Sequence, residues 1–389
     1  MNRRHLLKLL ALAPTALAAP RMLSAQLERR SEMYPLVGPY NFALKKHYNI
    51  VYRYLNVVDI GHAELAETLL TAKTEDQAIH HIEHVIFDRV TRMFLDPRRA
   101  PRLSPHEFTV APYSSLIAPR LNKAFDWTHI LHRQIYDILS TDLPPDRKRD
   151  FIRQSWAWYN SEPARAFPAR LKTHDLMEHQ WFSQYWREKY PRFNGAIWAY
   201  HWLQLRLNEV MLTHDKSIRD AGIAEVTAEF RAMFENPDLL PKHMPMAHTV
   251  APRFLAEFPN IAFCFDNLHS FHDIYNDILA HPQIPDKRAE VYKQLDVYLD
   301  PSAQLETAPM IPLPAGLSPE QHCQLNQLSH LEHMALMVMS SADEQLAFLA
   351  MSPAERAPTL DKLMPVMART WPNFEKKHST MGHPAPHKH

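Results

Sequence analysis

The stretch FDWTHILH at residues 125–132 returns as FDNLHSFH at residues 265–272, so that one phenylalanine, one aspartate and two histidines repeat in the same phase. The run TVAP precedes both copies, at 109–112 and 249–252. The offset is 140 residues in both cases. A shared fold for the two halves of the chain follows from this regularity.

The repeat extends well beyond the histidine motif. An ungapped comparison of 93–149 with 233–289 finds 19 identities in 57 positions, which is too many for chance in a single register. Upstream of these ranges the match fades and needs small gaps. We therefore predict two duplicated domains, at 40–170 and 175–305, each far longer than the roughly 20 to 50 residues of solenoid repeats.

Composition favours an all-α fold. The 389 residues include only 6 glycines, and apolar residues recur at three and four positions, as in Tyr48, Tyr52, Leu55 and Val58. Both features favour helices over strands. The 32 prolines cluster between the periodic segments, where they end helices and stiffen loops.

A C-terminal helical segment is predicted at 306–375. Its first helix starts at Ser318, a good N-cap followed by Pro319 in the first helical position, and is expected to continue to about Met339. The last residues, 376–389, are predicted to be a disordered, histidine-rich tail.

Histidine, at 25 residues, is the chemically informative residue type. Four H-x-x-H pairs fall in segments with helical periodicity: His81/His84, His129/His132, His269/His272 and His330/His333. Residues three apart lie on the same side of a helix, so both imidazoles of a pair can reach one metal ion.

The two pairs inside the repeat are the preferred ligands, because they persist where most other positions differ. His129, His132, His269 and His272 are therefore predicted to bind metal. Asp126 and Asp266 precede them by three residues and are either further ligands, N-caps of the helices, or hydrogen-bond partners that fix an imidazole tautomer.

The other two pairs, in H-I-E-H at 81–84 and H-L-E-H at 330–333, are kept as candidates. Solvated helix faces are the favoured interpretation of both. A site shared across a pseudo-twofold axis and one site in each half both remain open.

Several protein classes are excluded. The balance of 43 basic against 43 acidic residues gives no electrostatic basis for nucleic-acid binding. The only cysteines, Cys264 and Cys323, form neither a thiolate zinc site nor a C-x-x-C-H haem site. The E-x-x-H motif that ferritin-like di-iron bundles use twice occurs only once, at 375–378.

The N-terminus has the three parts of a secretory signal over 1–25, with Arg3-Arg4, an apolar run and small residues. Residues 2–8, NRRHLLK, resemble the twin-arginine export motif, which serves folded proteins; an ordinary Sec signal is the alternative. The apolar run is too short for a membrane span of about 20 residues. We expect a periplasmic or secreted protein.

These observations predict an exported metal-dependent oxidoreductase that acts with dioxygen or a small-molecule substrate. Iron and copper are the candidate metals, since both accept nitrogen and oxygen ligands. Iron is the preferred one of the two. The alternatives are a haem b protein, since one axial histidine needs no strict motif, a non-catalytic metal-binding or structural protein, and a zinc-dependent hydrolase.

Overall fold

A computed structural model describes residues 41–105 and 107–378. Every regular element in these ranges is helical, and the one β contact is an isolated bridge between Lys172 and Leu305. The predicted all-α class is confirmed. The predicted signal segment 1–25 lies outside the described residues, as does the predicted tail from 379 onward, whereas the last helix still includes 376–378.

Between residues 41 and 159 the described chain forms eight α-helices and one π-helix, the latter at His81–Ile86. The α-helices are α1 (Ala43–His47), α2 (Asn49–Thr71), α3 (Glu75–His80), α4 (Phe87–Leu95), α5 (Glu107–Val110), α6 (Pro112–Ile117), α7 (Pro119–Leu139) and α8 (Pro145–Tyr159).

The second part repeats the pattern of short helices followed by long ones. It comprises α9 (His174–Glu178), α10 (Tyr185–Lys189), α11 (Pro191–Met211), α12 (Lys216–Glu235), a 3-10 turn (Pro237–Leu239), α13 (Ala247–Val250), α14 (Pro252–Glu257), α15 (Pro259–Ala280) and α16 (Lys287–Leu299).

The C-terminal segment adds α17 (Pro319–Asn326), α18 (His330–Met337), α19 (Ala342–Ala350), α20 (Pro353–Thr370) and α21 (Phe374–His378). Ser318 is the predicted N-cap, and its side chain forms a capping box with Gln321. The prediction of a single helix from Ser318 to about Met339 is wrong, because Ser329 forms a second capping box with Glu332 and starts a new helix.

Proline sets the start of three long helices. Pro119, Pro191 and Pro259 each occupy the first helical turn of α7, α11 and α15. Proline suits this position because its missing N–H is one that the helix would leave unbonded. Each residue before these prolines is non-helical, with φ between −129° and −137°.

Two carboxylates hold the short helices α1 and α10 in the same way. Asp137 in α7 accepts two backbone N–H groups at the start of α1, both at 2.9 Å. Asp277 in α15 accepts two at the start of α10, at 3.0 and 2.7 Å. Phe42 and Gln184, the first donor in each case, both have left-handed φ values, of 62° and 73°.

A second matched pair of carboxylates lies at the C-terminal ends of α2 and α11. Glu67 accepts two backbone N–H groups at the start of α6, at 3.0 and 3.1 Å. Glu209 accepts two at the start of α14, both at 3.0 Å. Each carboxylate thus satisfies amides that the start of a short helix leaves without partners.

The long helices α2, α7, α11 and α15 form a four-helix arrangement in which α2 and α7 each contact both α11 and α15. Residues from all three parts of the chain share one hydrophobic core. Both cysteines are free thiols, and the buried Cys264 donates to Tyr159 Oη at 3.4 Å. Among the described helices, none is both long and apolar enough to cross a membrane.

Candidate metal centre

Six histidines meet where these four long helices face one another, and we call them the bundle histidines. They are His62 from α2, His129 and His132 from α7, His201 from α11, and His269 and His272 from α15. Neighbouring rings in this group have centroids between 4.1 and 5.7 Å apart. All four predicted ligands of the repeat therefore belong to one cluster.

Three of the bundle histidines converge closely. His62, His201 and His272 each offer a ring nitrogen, and these three nitrogens lie within 4.8 Å of one another. In the described part of the chain this is the only group of three or more histidine, cysteine or carboxylate side chains that meets this distance. Three imidazoles at this separation suit one metal ion.

A backbone hydrogen bond orients the first of the three. His62 Nδ1 donates to the carbonyl oxygen of Val58 at 3.0 Å, because a carbonyl can only accept. This bond fixes the proton on Nδ1 and leaves Nε2 with a lone pair. That Nε2 atom is buried and has no hydrogen-bond partner. Metal-bound histidines are held in this manner by their second nitrogen.

Other bundle histidines are buried with both nitrogens unpartnered. This holds for His132, His201 and His269, which are at most 2% exposed. Each orphaned nitrogen costs about 1–3 kcal/mol of desolvation, and buried polar groups are rarely left so. A cation shared by the rings would satisfy the lone pairs.

Burial keeps these imidazoles neutral. Desolvation lowers the pKa of His129 to about 4 and lowers the pKa of His62 as well. It lowers the pKa values of His132, His201 and His272 well below the ordinary value, and neighbouring imidazoles act in the same direction. Neutral imidazole is the metal-binding form, so the cluster is ready to bind cations at neutral pH.

The two H-x-x-H motifs contact each other reciprocally. His129 lies 5.7 Å from His272 between ring centroids, and His132 lies 5.6 Å from His269. The first histidine of each motif thus faces the second histidine of the other. This cross-pairing brings α7 and α15 together at one site.

Phenylalanines of the repeat cover the histidines in the same reciprocal way. The Phe125 ring centroid is 4.3 Å from that of His272, and the Phe265 centroid is 3.5 Å from that of His132. These rings exclude water from the imidazoles they cover. The repeated phenylalanine therefore shapes the site, although it offers no ligand.

The repeated aspartates take no part in the three-histidine group. Asp126 is exposed on α7. Asp266 is fully buried and accepts the N–H of Ala247, at 3.1 and 3.2 Å, where α13 begins. Both lie inside their helices, so the interpretation of them as N-caps of those helices is wrong. Burial raises the pKa of Asp266 to about 8.

The two remaining H-x-x-H pairs are placed elsewhere. His81 and His84 are both exposed on the π-helix, as expected of a solvated helix face. His330 is half-buried near Glu178, whereas His333 is buried and stacks on His243. A solvated face therefore does not describe the second pair.

Of the three converging residues, the sequence does not single out His62 and gives His201 only a weak claim as a ligand. If α2 and α11 are aligned on their matched carboxylates Glu67 and Glu209, the offset between the two halves is two residues longer than the offset of 140 between the histidine motifs. In that register His201 corresponds to Asp59, and His62 to a glutamine. The position is shared but the residue type is not, so identity alone gave no signal.

The carboxylate of Asp59 is already engaged beside the cluster. It pairs with the Arg133 guanidinium and accepts from the hydroxyl of Ser104 at 2.9 Å. Arg133 also donates to Ser104 Oγ at 2.6 Å. The nearest acidic group on α2 is therefore neutralised by an ion pair, and the ligand atoms at the centre are nitrogens.

Comparison of the chain with known protein families, with curated proteins and with solved structures finds no match.

Proposed function

We propose that this protein is an exported metal-dependent oxidoreductase whose redox metal is held by the bundle histidines. The observation that carries the proposal is the convergence of His62, His201 and His272, with three nitrogens within 4.8 Å of one another. The site lies among neutral, buried rings, and His132, His201 and His269 have no hydrogen-bond partner at either nitrogen. Dioxygen or a small organic molecule is the proposed substrate.

The assembled donor set changes the order of candidate metals from the one the sequence favoured. Non-haem iron enzymes typically bind iron with two histidines and one carboxylate. Here the converging group contains three imidazoles, and Asp59 is held by Arg133. Copper accepts all-imidazole coordination and binds such sites more tightly than iron. We therefore place copper first and iron second.

Six imidazoles exceed the need of one ion. His62, His201 and His272 would hold the ion, and His129, His132 and His269 would surround it with further neutral imidazoles. A redox metal with an open coordination position supplies electron exchange with a bound substrate. The protein supplies the fixed imidazoles, and Phe125 and Phe265 keep water from the ligands they cover.

The proposal includes the duplication of the fold. Matching hydrogen bonds accepted by Asp137 and Asp277, and by Glu67 and Glu209, support two equivalent helical units. The reciprocal contacts of the two histidine motifs support a pseudo-twofold relation between α7 and α15. One shared centre, formed by both units, fits these contacts better than one centre per unit.

The haem b alternative is less consistent with the packing. The His201 and His269 rings stack with centroids 4.1 Å apart, and the other bundle histidines fill the adjacent space. A flat macrocycle between the helices would have to displace these rings. A non-catalytic metal-binding protein uses the same ligands, and it differs in having no turnover.

The test is metal analysis with an absorption spectrum on untagged protein purified from the periplasm. We expect copper or iron in stoichiometric amount. The double variant His62→Ala/His201→Ala should lose one equivalent of metal, whereas His81→Ala/His84→Ala, at exposed histidines, should retain all of it. Equal metal content in all three proteins would refute the site. A Soret band would establish haem instead.

A further inference from the structure

A second group of buried histidines is built from other parts of the chain, and we call it the C-terminal histidine cluster. It consists of His174 at the start of α9, His243 in the loop before α13, His248 in α13 and His333 in α18. All four are at most 4% exposed. The C-terminal segment completes this group.

Two of these histidines have nitrogens without partners. Both ring nitrogens of His248 and the Nε2 of His333 are buried and lack hydrogen bonds. The ring centroids of His248 and His333 are 6.0 Å apart, and His243 stacks on His333 at 4.0 Å. His243 Nδ1 donates to the carbonyl of Leu328 at 3.1 Å, which fixes its ring.

The contacts of His174 indicate what occupies the space. Its Nδ1 lies 2.8 Å from Glu306 Oε2 and donates to that carboxylate. Its Nε2 lies 3.0 Å from the sulfur of Met246, which is 1% exposed. With the proton on Nδ1, an imidazole lone pair faces the lone pairs of a thioether. Such a contact requires a proton or a metal ion between the two atoms.

A metal ion accounts for more of the contacts than a proton does. A proton on His174 Nε2 would satisfy that atom and the sulfur, but it would leave His248 and His333 without partners. A cation bound by sulfur and imidazole would give each of the four side chains a partner for one donor atom. The carboxylate of Glu306 would orient His174 from its other nitrogen, as is common for metal-bound histidine.

We propose that His174, Met246, His248 and His333 form a second metal site, selective for Cu(I). Thioether sulfur is a soft ligand that selects Cu(I) over harder ions. The bundle histidines, by contrast, offer nitrogen alone. Binding would move the Met246 sulfur slightly away from His174 Nε2, now 3.0 Å from it, and toward His248 and His333, as a flexible methionine side chain permits.

The second site stands independently of the proposed oxidoreductase function. It uses different residues and a different donor set. The experiment is therefore chosen so that each site is removed separately.

Cu(I) binding to the full-length mature chain would be measured by anaerobic competition with bicinchoninate. Met246→Leu, a volume-conserving change, should weaken one Cu(I) equivalent about tenfold or more, since even indirect ligand changes cost that much. Met233→Leu, at a buried methionine in α12, is the matched control and should not change it. Unchanged Cu(I) affinity in Met246→Leu would overturn the proposal.

A second readout is X-ray absorption of the His62→Ala protein loaded with one equivalent of Cu(I). Copper–sulfur scattering is expected, and its absence would overturn the proposal even if the Met246 variant did not fold. If His62→Ala retains all the metal of the native protein, the bundle site fails, while the sulfur signal still decides the second site.

Discussion

Replacing His201 with leucine should stabilise the metal-free protein and remove its response to metal. His201 is fully buried, and neither ring nitrogen has a hydrogen-bond partner. A ligand site is tuned for the bound state, so the empty state carries the cost of these nitrogens. Leucine is close to histidine in volume and carries no polar atom.

The magnitude follows from three contributions. Two orphaned nitrogens cost about 1–3 kcal/mol each, and their removal returns that free energy. Loss of ring stacking with His269, at 4.1 Å between centroids, costs about 0.5–1.5 kcal/mol. Repacking costs up to about 1.5 kcal/mol. With the central value of each range, the free energy of unfolding of the metal-free variant should rise by about 2 kcal/mol.

Metal should reverse the order of the two proteins. At a copper concentration 100 times its dissociation constant, binding adds about 2.7 kcal/mol to the native protein. The variant lacks one of the three converging ligands and should gain much less. Without metal, the native protein should thus have the lower free energy of unfolding. With metal, its free energy of unfolding should increase more than that of the variant.

Urea unfolding followed by far-UV circular dichroism measures both states, with chelator and with copper. His81→Leu, at an exposed histidine on the π-helix, is the control and should change neither value. A His201→Leu protein that is destabilised without metal, and that gains as much from copper as the native protein, would refute the argument.

Three further predictions concern the surroundings of the site. Gly61→Ala should weaken copper binding in a metal titration, because a Cβ there would lie 3.0 Å from the Tyr200 ring and would push α2 from α11. Gly222→Ala is the control: its Cβ would lie 3.1 Å from a side chain away from the site, and it should leave copper affinity unchanged. Equal losses of copper affinity in the two variants would contradict the prediction. Burial raises the pKa of Asp266 to about 8 in the folded protein. The contribution of Asp266 to stability is therefore fully present below its pKa in the unfolded chain and is lost as pH rises through its pKa in the folded protein. Asp266→Asn should thus become progressively more stable than the native protein as pH rises from about 4 to 8. A pH-independent difference in urea midpoint would contradict that assignment. Glu209→Gln should lower the free energy of unfolding by about 1–3 kcal/mol, because its carboxylate accepts two amides at the start of α14; an unchanged urea midpoint would show that water satisfies them equally well.

The helical class followed directly from sequence because scarce glycine, punctuating prolines and the period of apolar residues all act locally. The H-x-x-H pairs at 129–132 and 269–272 were likewise visible because both copies retain the same residues. Their assembly into one cluster depends on how α7 packs against α15, which no local pattern encodes.

His62 and His201 were out of reach for a different reason. They lie on helices where the two halves have different residue types at equivalent positions, so a comparison of the two halves does not identify them. The prediction of a solvated helix face for the pair at 330–333 is wrong for a third reason. The spacing of its histidines does not indicate that α18 packs against the loop before α13. Burial there is a property of tertiary packing.

The three converging histidines come from helices near the beginning, middle and later part of the described chain. No contiguous segment shorter than the span from α2 to α15 contains all of them. In the proposed site an ion could reach full coordination only once α15 has packed against α2. Metal content per molecule would then report the fraction of chains in which α2, α11 and α15 have packed together.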